Sequence, residues 1–314
     1  MFRKLSHISF AVLTIANARN MNFNVVAICC TYNRREKSIR SVRQLLAQTI
    51  ACEVGLTVMV VDNQSTDGTP EALRSLGPNV QVVSTPTDMY WSESMQFGFQ
   101  QIDFASFDAV LAFNDDVDFD DSALARLIAV FVQVHKEKSR KVVIVASFRS
   151  DASNGVVTYG GFKRHSVLRP WLRRVLPGAG PVQIDTCNMN AVLISRECIE
   201  DVGFPDGPYR HSALDFDYGL KVTRMGAAVI LAPGVYGVCE RNAIHGTWRD
   251  TELTLSERWR LMRLPKGRPL LERWHFLRRN FSLLESIFVL TPIIQLISDE
   301  VRRTLYRARR VMRD

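Results

Sequence analysis

Thr57-Val58-Met59-Val60-Val61-Asp62-Asn63-Gln64-Ser65-Thr66-Asp67-Gly68-Thr69-Pro70 holds a strand, a loop and the start of a helix. The β-branched run Thr57 to Val61 predicts a buried strand. Ser65 to Thr69 supplies turn and capping residues, with Pro70 suited to a first helical turn. A carboxylate at the strand's exit, Asp62, can accept a hydrogen bond from a base or a ribose. Taken alone, the loop also reads as merely a turn and a cap. The same rhythm recurs on both sides: Val25 to Cys30 before Glu36 to Gln48, Val80 to Val83 before Ser92 to Ile102, and Ala109 to Phe113 before Ser122 to Val134. Short strands alternating with helical periods imply an α/β chain with a mostly parallel, doubly wound sheet. In such a sheet ligands bind beyond the carboxyl ends of the strands, so the post-strand loops are where chemistry is expected.

Two further loops are informative. The first strand runs into Thr31-Tyr32-Asn33-Arg34, and the fourth into Asn114-Asp115-Asp116-Val117-Asp118-Phe119-Asp120-Asp121. Like charges at this density repel, and a fold tolerates them best with a hard cation or hydrogen-bond donors among them. Oxygen ligands at Asp115 and Asp116 suit Mg²⁺ or Mn²⁺, which could bridge two phosphates. Asp120 and Asp121 read instead as caps for the helix from Ser122. A third acidic stretch, His211-Ser212-Ala213-Leu214-Asp215-Phe216-Asp217-Tyr218, precedes a helix expected after Asp217. If it is extended, Asp215 and Asp217 share one side, one free to act as a general base and the other to cap the helix.

With 314 residues and 46% apolar content the chain can bury a full core. The six cysteines contain no C-x-x-C pair, which fits buried thiols in a reducing compartment. The net charge of +8 is concentrated late in the chain. The apolar stretch Leu283 to Ile297 is interrupted by Glu285, Pro292 and Gln295 and is followed by six arginines up to Arg313. It is shorter than the roughly 20 residues a spanning helix needs. Residues 283–313 are therefore expected either to lie on a membrane surface or to form a packed helix with a solvated basic tail. Few aromatics accompany those arginines, which argues against nucleic acid. The expected organisation is an N-terminal extension over 1–21, a nucleotide-binding half over 22–140, an acceptor-side half over 141–247 and a basic helical segment over 248–314. Arg3 and Lys4 before the apolar run Ile8 to Ala18 superficially resemble a secretory signal. The first convincing strand begins after Met21, so an upstream extension and a cytoplasmic protein, at most at the inner face of the membrane, are expected.

The ordered series C-T-Y-N-R, V-V-D-N-Q-S-T-D-G-T, F-N-D-D-V and D-F-D-Y-G-L-K resembles the inverting family 2 glycosyltransferases of the GT-A fold. It is similar above all to bacterial members that transfer rhamnose, galactofuranose or related sugars in surface-polysaccharide synthesis. The resemblance covers Val25 to Asn242, and Arg273 to Asn280 is similar to tail segments of some members. It implies a nucleoside-diphosphate sugar donor, a saccharide or lipid-linked saccharide acceptor and a divalent cation. It further implies that Thr31, Arg34, Asp62 and Asp115 line the donor pocket, that Asp116 binds the metal and that Asp215 is the catalytic base with Asp217 as its acidic neighbour. Asn114 departs from the acidic first position of the family's D-x-D motif, and Lys221 stands where the family often has Arg. His245 lies where some relatives place a further metal ligand, although a lone histidine is more often structural. Trp91 with Tyr90 could stack on a sugar or sit in the core, and His211 could touch the acceptor or mark a helix entry. A non-catalytic sugar-nucleotide or polysaccharide-binding protein of this fold is the main alternative. A nucleotidyltransferase is disfavoured because C-T-Y-N-R-R-E-K has no glycine for a phosphate loop.

Overall fold

The computed structural model describes residues 23–52, 54–151, 155–165, 171–281 and 283–311. The expected extension over 1–21 lies outside the described residues.

Eight strands form one sheet: β1 Phe23–Thr31, β2 Val54–Asp62, β3 Val80–Ser84, β4 Ala109–Phe113, β5 Val142–Val145, β6 Val182–Gln183, β7 Ala191–Ser195 and β8 Ala228–Leu231, in the order β6-β8-β5-β7-β4-β1-β2-β3. β4, β1, β2 and β3 run parallel, as does β5 with β8, while β7 is antiparallel to both β4 and β5. The sheet is thus mostly parallel and runs without a break across residue 140. β1 shows why its sequence lacks polar alternation. Val25, Ala27 and Cys29 pack into the core on one face, and Val26, Ile28 and Cys30 into the core on the other. Cys29 and Cys30 therefore point to opposite sides. The five cysteines whose side chains are described are buried and free.

The connecting helices are α1 Arg35–Cys52, α2 Thr69–Arg74, α3 Trp91–Phe99, α4 Ala123–Glu137, α5 Arg196–Val202, α6 Leu214–Arg224, α7 Leu255–Arg263, α8 Leu270–Asn280 and α9 Thr291–Val311. Their positions follow the expected periodicity with one correction. α6 starts at Leu214, so Asp215 and Asp217 lie in its first turn rather than in an extended segment before it. The helix entry is Ala213, held at φ 76°, a backbone state that no capping residue in the sequence announces.

α6 is seated close to the sheet. The Thr186 hydroxyl donates to the Phe216 carbonyl at 2.8 Å, and a Cβ on Gly219 would lie 2.8 Å from Thr186 Cα. Only a residue without a side chain allows that approach. On its other side α6 meets α8, whose Arg279 and Asn280 engage Asp217.

Candidate functional site

The exits of β1, β2 and β4 lie side by side because β1 pairs in parallel with both neighbours, Thr31 with Asp62 of β2 and Ile28 with Ala112 of β4. Asn33 N donates to Ser65 Oγ at 2.9 Å, Thr66 N to Asn33 Oδ1 at 2.8 Å, and Arg35 N to Asp67 Oδ2 at 3.2 Å. Asp67 also accepts from Thr69 N, so its part of the D-N-Q-S-T-D-G-T loop is a turn and a cap. Asp62 is different. It is buried, one oxygen accepts from Ser65 N at 3.1 Å, and the other has no partner.

The acidic loop after β4 is resolved by guanidinium groups. Arg34 Nη1 lies 3.0 Å from Asp115 and 3.1 Å from Asp116. Arg40 pairs with Asp118 at 2.6 Å, and Arg126 lies 3.9 Å from Asp120. The expected capping by Asp120 and Asp121 is not seen: α4 begins without a side-chain cap, and it is the Asp120 carbonyl that accepts from Ala123 N. Asp115 is buried and accepts from Ser38 Oγ at 3.2 Å, while Ser38 shares a 2.7 Å bond with Thr31. Burial pushes the Asp115 carboxyl above its usual range; Arg34 counters that push, and Asp116 adds to it. Burial lowers Arg34, but the two aspartates outweigh it and hold the guanidinium above its ordinary value. Asp116 additionally accepts a long contact of 3.8 Å from the buried Cys239 thiol.

Asp215 accepts from Asn188 Nδ2 at 3.4 Å. Burial raises its pKa to about 6, against opposing backbone and Asn188 hydrogen bonds. Two residues on, Asn190 accepts from Asn114 N at 3.2 Å and donates to Cys239 at 3.3 Å. The segment 187–190 therefore touches Asp215 at one residue and the Asp116 loop at another. His211 and Trp91 are brought together as well. Arg210 O accepts from Ser92 N and Glu93 N at the start of α3, and the Tyr90 ring meets His211 edge-on at 6.1 Å. Burial, then the charges of Lys266 and Arg34, lower the His211 pKa to about 4, so the ring is neutral near pH 7. Asp62 Oδ1, Trp91 Nε1, Asn114 Oδ1, Asn188 Oδ1 and His211 Nδ1 are all buried without partners. Buried polar atoms are seldom left unpaired, so these five are candidate contacts for a ligand.

Two expected residues stand apart. Asp217 is 1% exposed and held by Arg279 at 3.1 Å and by Asn280. In one helical turn it points about 200° from Asp215, toward α8. His245 sits in an exposed turn with Nδ1 3.1 Å from Asp250. With Asp250 and Glu252 it forms the one group of three potential ligands found among the described residues. The Asp250 carboxylate there already accepts from Gly246 N and Glu252 N. Reading the sequence missed Ser38, Asn188, Asn190, Cys239, Lys266 and Arg268. The last of these, exposed at the surface, feels the charge of Asp215. The signals available were slight: Ser38 lies one turn beyond Arg34 on a helix, and two asparagines flank Met189 in an otherwise apolar run.

The strained backbone collects in the same places. Among the described residues the non-glycine positions with positive φ are Asn33, Gln64 and Ala213. Each sits on a loop that carries Arg34, Asp62 or Asp215. Such conformations cost about 1 kcal/mol or more and persist where surrounding structure enforces them, often at functional sites.

The sequence model described as Glycosyl transferase family 2 matches residues 26–190. No curated protein matches significantly. Among solved structures, the chain is similar to the mannosyltransferase PcManGT from Pyrobaculum calidifontis in complex with GDP-Man and Mn²⁺, with 18% identity, 98% of this chain and 91% of that chain covered, and a TM-score of 0.53. It is also similar to residues 1–349 of TarS from S. aureus, with 18% identity, 86% and 69% covered, and a TM-score of 0.49. At 18% identity the likeness to the mannosyltransferase concerns the fold, here the mixed α/β architecture with its large central sheet.

Proposed function

The chain belongs to glycosyl transferase family 2, and we propose that it moves a sugar from a nucleoside-diphosphate donor to a hydroxyl of a glycan or lipid-linked saccharide, with inversion. The observation that carries this reading is the 187–190 segment, which joins Asp215 to the Asp116 loop. That link supports a base and a diphosphate-binding pair sharing one cleft. Asp62, with its unpaired oxygen, and Thr31 are assigned to the nucleoside, and Arg34 and Asp115 to the diphosphate.

The residues fit a hard divalent cation, because two carboxylates are already gathered around one cationic group at Arg34. Asp116 would hold the ion, with Asp115 behind it. Mg²⁺ or Mn²⁺ there would supply charge neutralisation to the diphosphate. His245, paired with Asp250, is not assigned to this ion.

Asp215 takes the proton of the acceptor hydroxyl. That oxygen forms its bond to the anomeric carbon from the face opposite the diphosphate, whose own bond to that carbon breaks. One displacement inverts the configuration. A carboxylate raised to about 6 is ionised at neutral pH and still basic enough to accept the proton. Lys266 and Arg268 add positive charge around His211 and Asp215, suited to an anionic leaving group. Trp91 and His211 form the acceptor-side wall.

The test is release of nucleoside diphosphate from a donor panel, with and without acceptor saccharides. GDP-mannose and rhamnose and galactofuranose donors come first in the panel, with Mn²⁺ or Mg²⁺. Acceptor-dependent release with the product in the inverted anomeric form is expected. Donor binding without release under any acceptor would turn the reading to a non-catalytic binding protein.

A further inference from the structure

α9 has two unlike faces. One is pinned to the body: Leu296 is 1% exposed and packs with Trp248 and Met262. Arg303 Nη1 donates to the Leu253 carbonyl at 2.9 Å, and Asp299 takes the buried Arg258 at 3.0 Å. The other face is bare. Leu290, just before the helix, and Ile294, Ile297, Val301 and Leu305 along it are 49% to 62% exposed, and Ile287 in the preceding turn is 73% exposed. Their spacing of three and four residues places them on one stripe within a sector of about 80°, at about 1.5 Å rise per residue. Scattered exposed apolar residues are ordinary, but a continuous stripe on an otherwise charged helix marks an interaction surface.

Charge decides what covers it. From residue 301 to 313 the sequence has six arginines and no acidic residue. The whole segment 248–314 has fifteen Lys and Arg against eight Asp and Glu, a net +7 of the chain's +8. A second copy of such a segment would meet the first with like charge. A surface of anionic lipid would take both the apolar stripe and the arginines. No helix among the described residues is long and apolar enough to cross a membrane, so the helix would lie in the plane of the interface.

We propose that α9 docks the protein on anionic membrane surfaces, burying the Leu290 to Leu305 stripe among the acyl chains while Arg302 and the arginines that follow Leu305 in the sequence meet the headgroups. This surface is separate from the donor cleft and does not depend on the reading of it. The full chain is tested by sedimentation with vesicles of phosphatidylcholine alone or mixed equally with phosphatidylglycerol. At about 0.1 M salt it should bind the anionic vesicles at least about tenfold better than the neutral ones, and about 1 M salt should remove most of that preference. The double substitution Ile294→Glu with Ile297→Glu should reduce binding by about tenfold or more. Arg302→Glu, which leaves the stripe intact, should reduce the anionic preference several-fold. Melting curves check that each variant is folded, and light scattering gives the oligomeric state. Equal recovery with and without anionic vesicles would overturn the proposal, as would a folded stripe variant that binds like the parent. A parent dimer that the stripe substitutions turn into a monomer, without vesicle binding, would assign the stripe to a second copy instead.

Discussion

Asp215 and Ala213 sit two residues apart and carry opposite kinds of information. The carboxylate is raised to about 6 by burial, and only its ionised form can accept a proton. kcat/KM should therefore be flat above about pH 6 and fall about tenfold per pH unit below it. Asp215→Asn should lower kcat by about a hundredfold or more and abolish that acidic limb, while the melting temperature stays high. An unchanged limb in the variant would place the base elsewhere. Asp215 was legible from its motif, whereas the strain beside it was not. Alanine gives no sign that it must adopt φ 76°. Glycine adopts that conformation without a Cβ penalty, so Ala213→Gly should stabilise the protein by about 1 kcal/mol in urea unfolding. A loss of stability would mean that the methyl group packs rather than strains.

At the level of elements, the α6 and α8 pair brings Arg279 and Asn280, remote in sequence, onto the helix that carries Asp215. Arg279 reaches Asp206 and Asp217, and Lys221 reaches Asp206 at 2.8 Å, so α6, α8 and the loop before α6 are tied at one point. Asp217 holds the helix and leaves Asp215 free for the cleft. An alternation of two aspartates in an extended segment cannot show that division, because it appears only once the helix begins at Leu214. The strands and most helices were legible for a simpler reason: β1, β2 and β4 are largely buried on both faces and read as nearly continuous apolar runs. Arg279→Met should cost about 2 kcal/mol, since it leaves a buried carboxylate without its charged partner. The sign of its pH dependence follows from Asp217, whose pKa burial raises despite Asn280 and Arg279. A group raised on folding binds its proton more tightly in the native state, so its stabilising effect is present at low pH and lost as pH rises through the folded value. Without Arg279 that value rises further. The variant's deficit should thus be larger at pH 8 than at pH 5 in denaturant titrations, and a pH-independent deficit would place the lost energy at Asp206.

Across the whole molecule, the proposed cleft draws on segments that are far apart in the chain: Arg34 after β1, Asp62 at the end of β2, Asp116 after β4, Asn188 before β7, and Asp215 on α6. Motif order revealed the carboxylates because charged residues at strand exits are conspicuous. Ser38, Asn188 and Cys239 are ordinary residues whose importance comes only from what the fold places beside them. A donor that bridges these loops would tie the neighbouring strands β7, β4, β1 and β2 to one ligand. At about a hundredfold excess over Kd, a nucleoside diphosphate should add about 2.7 kcal/mol, equivalent to a rise in Tm of about 4 °C for a chain of this size. If Asp116 holds a divalent ion, chelation should abolish the rise, and Asp116→Asn should abolish it without lowering the ligand-free Tm by more than about 2 °C. A rise that survives both treatments would leave the diphosphate to Arg34, Lys266 and Arg268 alone, whose three positive charges could hold it without an ion. Salt then separates the two arrangements, because exposed guanidinium and ammonium contacts weaken between about 0.1 and 1 M salt more than contacts through a partly buried cation do.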